Sequence, residues 1–282
     1  YNRCHWIKLL RLQKHYERAE IEAGLEIDGD RVTVVVTSSK NIDRLAIDAE
    51  RIGKPLDRVR SAGQTLEITP APQVILSRNE HGWHQISNDD PALKQGKRPG
   101  VQGPIDDAFA SRFICVRGTG QPWFPKNTAW VDARLMQFRE TWRQYMRGDV
   151  LIVDDVDVTA EDVAGSHLIL FGDPGSNSWI ARLLPQLPLK WTEDTLQIRD
   201  HTTPSQGHVP VLIAPNPLDE TGEHYIVLNT GHTFGKAEFS AVNYLLFPRL
   251  GDWAILKADI NLVEQTDPHL FFDPAVVFCG FF

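Results

Sequence analysis

Hydrophobic and polar positions change rhythm part-way along the chain. Over residues 20–27, Glu-Ile-Glu-Ala-Gly-Leu-Glu-Ile alternates polar with apolar, the period of a half-buried strand. Asp28-Gly29-Asp30 is a turn signal, and the β-branched run over 31–37 follows it, so together they predict a hairpin. Further short strands are expected at 42–47, 65–69, 73–77 and 83–86. Turn residues separate them at regular intervals, which predicts a β-sandwich-like module over residues 1–90. A helix competes only over 10–19. From 87 to 104, Ser, Asn, Asp, Gly, Pro and Lys dominate, and this stretch reads as a linker or exposed loop.

Residues 105–282 follow a different pattern, in which strands alternate with helices. Strands are expected at 112–117, 150–153, 167–171, 209–214, 224–229 and 253–257. Helices are expected at 127–147, from Thr159 as cap, at 176–184 and at 236–246. For the longest helix, Ala129, Leu135, Met136, Phe138, Trp142 and Tyr145 form the expected apolar face, with Gly148 as the C-terminal stop. The turn over 216–222 is too short for a crossover helix, so the strands on either side of it are expected to be antiparallel. The whole predicts a Rossmann- or flavodoxin-like three-layer α/β module with a mostly parallel sheet. The apolar but unpatterned tail, 267–282, is expected to pack on something, the first module included.

The wholly apolar run His167-Leu168-Ile169-Leu170-Phe171 ends in Gly172-Asp173-Pro174-Gly175-Ser176-Asn177, a buried strand delivering a tight loop to a helix. If 112–117, 167–171 and 224–229 run parallel, the loops 118–121, 172–177 and 230–233 share one edge, where open α/β sheets keep their ligands. Ligand-binding candidates there are Gly118, Thr119, Gly172, Asn177, Asn229 and Thr233, with the N–H groups of Ser176 and Asn177 aimed at an anion. Ser176, His232 and Asp173 have the residue types of a nucleophile, base and orienting acid. No G-x-S-x-G elbow is present, however. The structural alternative is that Asp173 and Ser176 cap the helix and Gly175 permits the turn. His81 and His84 lack a third metal ligand, His201 and His208 fall in a polar loop, and Asp154, Asp155 and Asp157 read as a solvated acidic loop. Gly118-Thr119-Gly120 lacks dinucleotide spacing, since position 123 is Trp. No metal or cofactor is implied.

Composition narrows this further. The formal charge is -8, from 29 basic and 37 acidic side chains, and no basic block stands out, which disfavours nucleic acid. No apolar run is long enough to span a bilayer. Cys4, Cys115 and Cys279 have no metal spacing. Cys115 reads as a buried small hydrophobe, and Cys4 and Cys279 are open to pairing, although spacing fixes no connectivity. The chain opens on Tyr1 rather than Met, which reads as a processed product or fragment and leaves the parent's compartment open, secreted and periplasmic included. Aromatic residues flanking the linker (Trp83, Trp123, Phe124, Trp130) would suit contact with carbohydrate, with peptide or with another domain.

Five phrases carry a resemblance as a set: residues 1–6 (YNRCHW), 103–109 (GPIDDAF), 168–177 (LILFGDPGSN), 225–234 (YIVLNTGHTF) and 248–254 (PRLGDWA). Nearly the whole chain resembles the C-terminal half of large bacterial, often planctomycete, proteins of the prolyl-oligopeptidase-family or esterase-like serine hydrolases. The resemblance implies an α/β-hydrolase domain upstream that carries the nucleophile elbow. This chain would then be a non-nucleophilic accessory part that presents a peptide, ester or carbohydrate substrate or docks on the catalytic domain. It carries no catalytic residue onto this sequence. A self-contained hydrolase using Ser176, His232 and Asp173, and a small-ligand or anion-binding module at the three-loop edge, are the alternatives.

Overall fold

The computed structural model describes residues 2–15, 17–94, 96–234, 239, 248–259, 275–280 and 282. It is a strand-rich mixed α/β structure with several sheets. Its contacts divide into two units, Tyr1–Gly100 and Val101–Phe282.

In the first unit the strands are β1 (Arg3–Cys4), β2 (Ile7–Leu12), β3 (Glu20–Asp28), β4 (Arg31–Lys40) and β5 (Ile42–Asp48). A single helical turn, α1 (Ala49–Ile52), leads to β6 (Arg58–Ser61), β7 (Gln64–Glu67), β8 (Gln73–Asn79) and β9 (Gly82–Ile86). They form a five-stranded sheet, β1-β2-β5-β8-β9, and a four-stranded sheet, β3-β4-β6-β7. One core serves both sheets: Val32, Val34 and Val59 from one meet Ile42, Leu45, Ile47 and Leu76 from the other. Each of these fully buried aliphatic side chains stabilises by about 2 kcal/mol. The β3–β4 hairpin closes at Asp28 and Arg31, with Gly29 in the left-handed region at φ 59°. Helix does not form over 10–19. Ile7–Leu12 pairs with β5, and Asn41 pins the following turn by donating to the carbonyls of Lys14 (2.8 Å) and Glu17 (2.9 Å).

The second unit contains β10 (Phe113–Arg117), α2 (Pro125–Met146), β11 (Ile152–Asp154), α3 (Ala160–Gly165), β12 (His167–Phe171) and α4 (Ser178–Leu183). These are followed by β13 (Lys190–Trp191), β14 (Thr195–Ile198), β15 (His201–Pro204), β16 (His208–Pro215) and β17 (Tyr225–Leu228), then β18 (Trp253–Lys257) and β19 (Val276–Gly280). The seven-stranded sheet runs β11-β10-β12-β17-β16-β18-β19. Its first four strands are parallel, β16 pairs antiparallel with β17 and β18, and β19 pairs antiparallel with β18.

Both faces of this sheet are apolar, so β12 has no polar alternation and all five of its residues are buried. Ile169 and Phe171 pack with Trp130, Val131, Leu135 and Phe138 of α2. Leu168 and Leu170 pack with Ile180 and Leu183 of α4 and with Leu196 and Ile198 of β14.

Several expectations are corrected. The buried stripe of α2 is Trp130, Val131, Leu135 and Phe138, at helical spacing, whereas Ala129 and Met136 are exposed. The helix ends at Met146, two residues before Gly148, and Arg147 caps it in the left-handed conformation at φ 57°. The stretch holding His201 and His208 is no polar loop, since β13, β14 and β15 form a three-stranded antiparallel sheet and His208 opens β16. Residues 276–280 of the tail extend the sheet of their own unit. Cys4, Cys115 and Cys279 are all free thiols, and Cys115 is buried. The helix expected at 236–246 lies outside the described residues, apart from the single position 239.

Candidate functional site

The registers Cys115↔Ile169 and Ile169↔Val227 place the ends of β10, β12 and β17 at one sheet edge. The loops that follow continue the strand ladder rather than opening away from it. Gly118 donates to Phe171 O (3.1 Å), Gly120 to Ser176 O (2.8 Å) and Asn229 to Leu170 O (2.8 Å). The first two loops touch backbone to backbone. A Cβ on Gly118 would sit 2.6 Å from Ser176 O, and one on Gly172, at φ +133°, would sit 2.6 Å from Ser176 Oγ. These glycines are required by loop packing.

The 172–177 loop is closed by its own side chains. Asp173 Oδ1 accepts the N–H groups of Gly175 (3.0 Å) and Ser176 (2.8 Å) and the Ser176 hydroxyl (3.0 Å). Asp173 Oδ2 accepts the N–H of Trp123 at 2.8 Å. Ser176 Oγ in turn accepts the Asp173 N–H at 2.9 Å. The Asn177 N–H is held by Asp173 O at 2.8 Å, so neither N–H expected to meet an anion is free to do so. The cap of α4 is Asn177: its Oδ1 accepts from Trp179 (3.0 Å) and Ile180 (3.3 Å). Its Nδ2 donates to Val116 O (3.1 Å) and Phe171 O (2.9 Å), tying β10 to β12.

Thr119 is held by Asp155. Its N–H and hydroxyl both donate to Asp155 Oδ1, while Asp155 Oδ2 accepts from Ser178 N–H at 2.8 Å. Burial raises the Asp155 pKa, but the hydrogen bonds from Ser178 and Thr119 outweigh burial and hold the carboxyl below the ordinary carboxylate range. Asp154 pairs with Arg117 at 2.7 Å. Of the three acids read as a solvated loop, Asp157 is exposed as expected, whereas Asp155 is buried and ties the end of β11 to the loop after β10 and to α4. Among the described residues no group of three or more His, Cys, Asp or Glu is placed to hold a metal ion.

The third loop turns to the α2 face. Asn229, at φ 51°, accepts the Gly172 N–H through Oδ1 (2.8 Å) and donates to Pro210 O (3.3 Å). His232 is half-buried, its ring packed among aromatic side chains, with centroids 5.2 Å from Phe138, 6.2 Å from Trp142 and 6.5 Å from Phe109. Neither of its ring nitrogens has a hydrogen-bond partner, and burial lowers its pKa to about 4. The Ser176 hydroxyl is committed to Asp173 and the His232 imidazole reaches neither of them, so the expected triad is not assembled. The cavity bordering Gly172 and Asp173 measures about 10 Å³, room for one water at most. Of the aromatic residues expected to meet a partner, Trp83 and Trp130 are core residues, and Trp123 packs edge-on against Trp191.

Thr233 is held by Asp106, whose carboxylate accepts both its N–H (2.6 Å) and its hydroxyl, while Thr233 Oγ1 accepts from Arg249 N–H (2.9 Å). Burial pushes the Asp106 carboxyl up to about 6, against the opposing pull of the Thr233 hydrogen bonds. The folded state thus holds this proton more tightly than the unfolded chain. Ionisation of Asp106 costs stability progressively from about pH 4 to about pH 6, for a total of about 2 to 3 kcal/mol. His232 and His167 act with the opposite sign across much of that window, because their folded pKa values are lowered. The wild-type minus Asp106→Asn difference in unfolding free energy isolates the carboxyl and should fall as pH rises from 4 to 6.5. A flat difference would show that Asp106 titrates normally.

The opposite sheet edge holds a second polar cluster that sequence reasoning missed. His167 Nδ1 accepts the Tyr225 N–H at 2.9 Å, which places the ring proton on Nε2, 2.7 Å from Ser111 Oγ. Burial and the neighbouring His224 lower the His167 pKa to about 4. A neutral imidazole in this tautomer donates to Ser111 and has no lone pair with which to activate it, so the pair is no nucleophile and base. Tyr225 donates its hydroxyl to Asp107, and Asp219 accepts from His224 Nδ1 at 2.9 Å. The available signal was a histidine heading an otherwise apolar buried run, a position that requires partners.

Comparison with protein-family models, with curated proteins and with solved structures returns no match.

Proposed function

We propose that this chain is a companion part of a bacterial serine hydrolase of the prolyl-oligopeptidase or esterase-like type, contributing no nucleophile and acting on substrate presentation or on docking to the catalytic domain. The supporting observation is the arrangement of Ser176, Asp173 and His232. The first two are spent on closing a loop, and the third is packed among rings with no acid or hydroxyl partner. The phrases shared with that family around 172–177 and 229–234 are those that lock the parallel strand ends, which suits a scaffold. In this reading Val101–Phe282 is Rossmann- or flavodoxin-like, supported by four parallel strands with apolar clusters on both faces. Tyr1–Gly100 is sandwich-like, supported by a core common to its two sheets.

The test is hydrolysis of short acyl esters by the purified chain and by Ser176→Ala. Both should match the buffer blank, and turnover that Ser176→Ala abolishes would reinstate a self-contained hydrolase. In a polypeptide joining this chain to an α/β-hydrolase domain, deleting the chain should raise KM for a macromolecular substrate and leave acyl-ester kcat unchanged. An unchanged KM would remove the presenting role.

A further inference from the structure

The four-stranded sheet of Tyr1–Gly100 ends on β3, and among the described residues no strand pairs with its outer edge. β3 has nine residues, whereas the other open sheet edges, β1, β7, β9, β11, β13, β15 and β19, have two to five. Alternate residues of β3 turn their N–H and C=O groups to β4, and those between turn them outward. A long open edge is a template for a further strand, and proteins ordinarily guard one with Lys, Pro or a bulge in the edge strand. β3 contains neither Lys nor Pro. Its pairing with β4 shifts between Glu22 and Ala23, but the extra residue, Thr37, belongs to β4, so Ala23–Asp28 stay in regular register.

The strict alternation of β3 gives this edge two unlike faces. Ala23, Leu25 and Ile27 stand opposite Val36, Val34 and Val32 and share their face of the sheet. Those valines are core residues. Ala23 and Leu25 only border that core and are half-buried, and Ile27 is 56% exposed. The apolar face thus runs one strand further than the core that covers it. The other face of β3 presents Glu20, Glu22, Glu26 and Asp28, all exposed. Arg18 pairs with Glu20, Arg60 pairs with Glu26, and Asp28 stands across from Arg31, so these three meet positive charge within their own unit. Glu22 accepts the Thr37 hydroxyl through its backbone carbonyl, and its carboxylate enters no ion pair among the described residues.

Charge selects the occupant of this edge. Side chains of an added strand would lie about 5 Å from those of β3 directly opposite, apolar on one face and carboxylate on the other. A second copy docking through its own β3 would set carboxylate against carboxylate, which destabilises such a pair. A strand that alternates apolar residues with Lys or Arg complements both faces.

We propose that β3 docks an extended peptide segment as a further strand of this sheet, about six residues long and alternating apolar with Lys or Arg side chains. Main-chain hydrogen bonds along the outward edge supply affinity. Ala23, Leu25 and Ile27 supply the apolar contacts, and Glu22 with its neighbouring acids selects for a basic segment. The edge belongs to Tyr1–Gly100 alone, so this docking role does not rest on the proposed hydrolase companion role.

The probe is a labelled peptide of about seven residues alternating lysine with valine, capped at both ends and titrated into the whole chain by fluorescence anisotropy. It should bind with a Kd of about 10 to 100 μM, and the same peptide with glutamate in place of lysine at least about tenfold more weakly. Hydrogen exchange read residue by residue by NMR should slow at alternate amides of Glu20–Asp28 when the lysine peptide is present. Glu22→Lys and Ile27→Lys, both at exposed positions, should each weaken the peptide about tenfold. Absence of binding, equal affinity for the lysine and glutamate peptides, binding with unchanged exchange in β3, or unaltered affinity in both variants would each overturn the assignment. A dimer in sedimentation equilibrium that Ile27→Lys dissolves would overturn it too, by making the occupant a second copy.

Discussion

Asn177→Asp is expected to destabilise Val101–Phe282 by about 4 kcal/mol in urea unfolding, more than Asn177→Ala at about 3 kcal/mol. Asn177 is fully buried, and both halves of its amide are used. The oxygen caps α4, while the nitrogen donates to Val116 O and Phe171 O. Alanine loses the cap and leaves both carbonyls without this donor. Aspartate keeps the cap but sets a buried carboxylate oxygen against two carbonyl oxygens, a repulsive contact in a fully buried site. The variant would relieve this by taking up a proton, so its deficit relative to wild type should shrink as pH falls. Asn177→Asp behaving within about 1 kcal/mol of wild type would show that the side-chain amide does not tie the strands together.

Gly231→Ala should cost about 3 kcal/mol in the same measurement. A Cβ at this position would lie 2.1 Å from Cγ and 2.7 Å from Cβ of Phe138. Phe138 is a core residue of α2, so relief requires the helix to shift rather than a ring to turn. Combining Gly231→Ala with Phe138→Ala should cost less than the sum of the single changes, because the two share one contact. Gly165→Ala, where an added Cβ meets nothing within 4 Å, is the matched control and should be neutral or slightly stabilising. Additive costs in the double variant would mean that the loop accommodates the methyl without involving α2.

Much of the scaffold was legible because its signals are local. The alternating run before Asp28-Gly29-Asp30 is the β3–β4 hairpin, the apolar run from His167 is a strand buried on both faces, and Thr159 with Asp162 forms a reciprocal capping box. Where the reading failed, direction or context decided the outcome. Ser176, Asp173 and His232 supply the right chemical types. Their pairing depended on where the chain turns after β17, however, and it turns His232 into the rings of α2. Strands β13 to β15 are too short and polar to leave a periodic trace. Arg44 sits inside a run read only as a strand, and nothing in the run itself announces the register shift in the β2–β5 pairing that sets Arg11 opposite it.

The neighbours of β12 in the sheet come from distant parts of the chain, with whole helices and the β13–β15 meander intervening before β17 arrives. Closing such long loops costs chain entropy before any pairing energy is recovered, so the parallel core belongs to the slow-folding, high-contact-order class. Once the loops at 118, 172 and 229 have locked onto one another, unzipping any single strand would mean releasing the others, which makes opening all-or-none and the assembled unit long-lived.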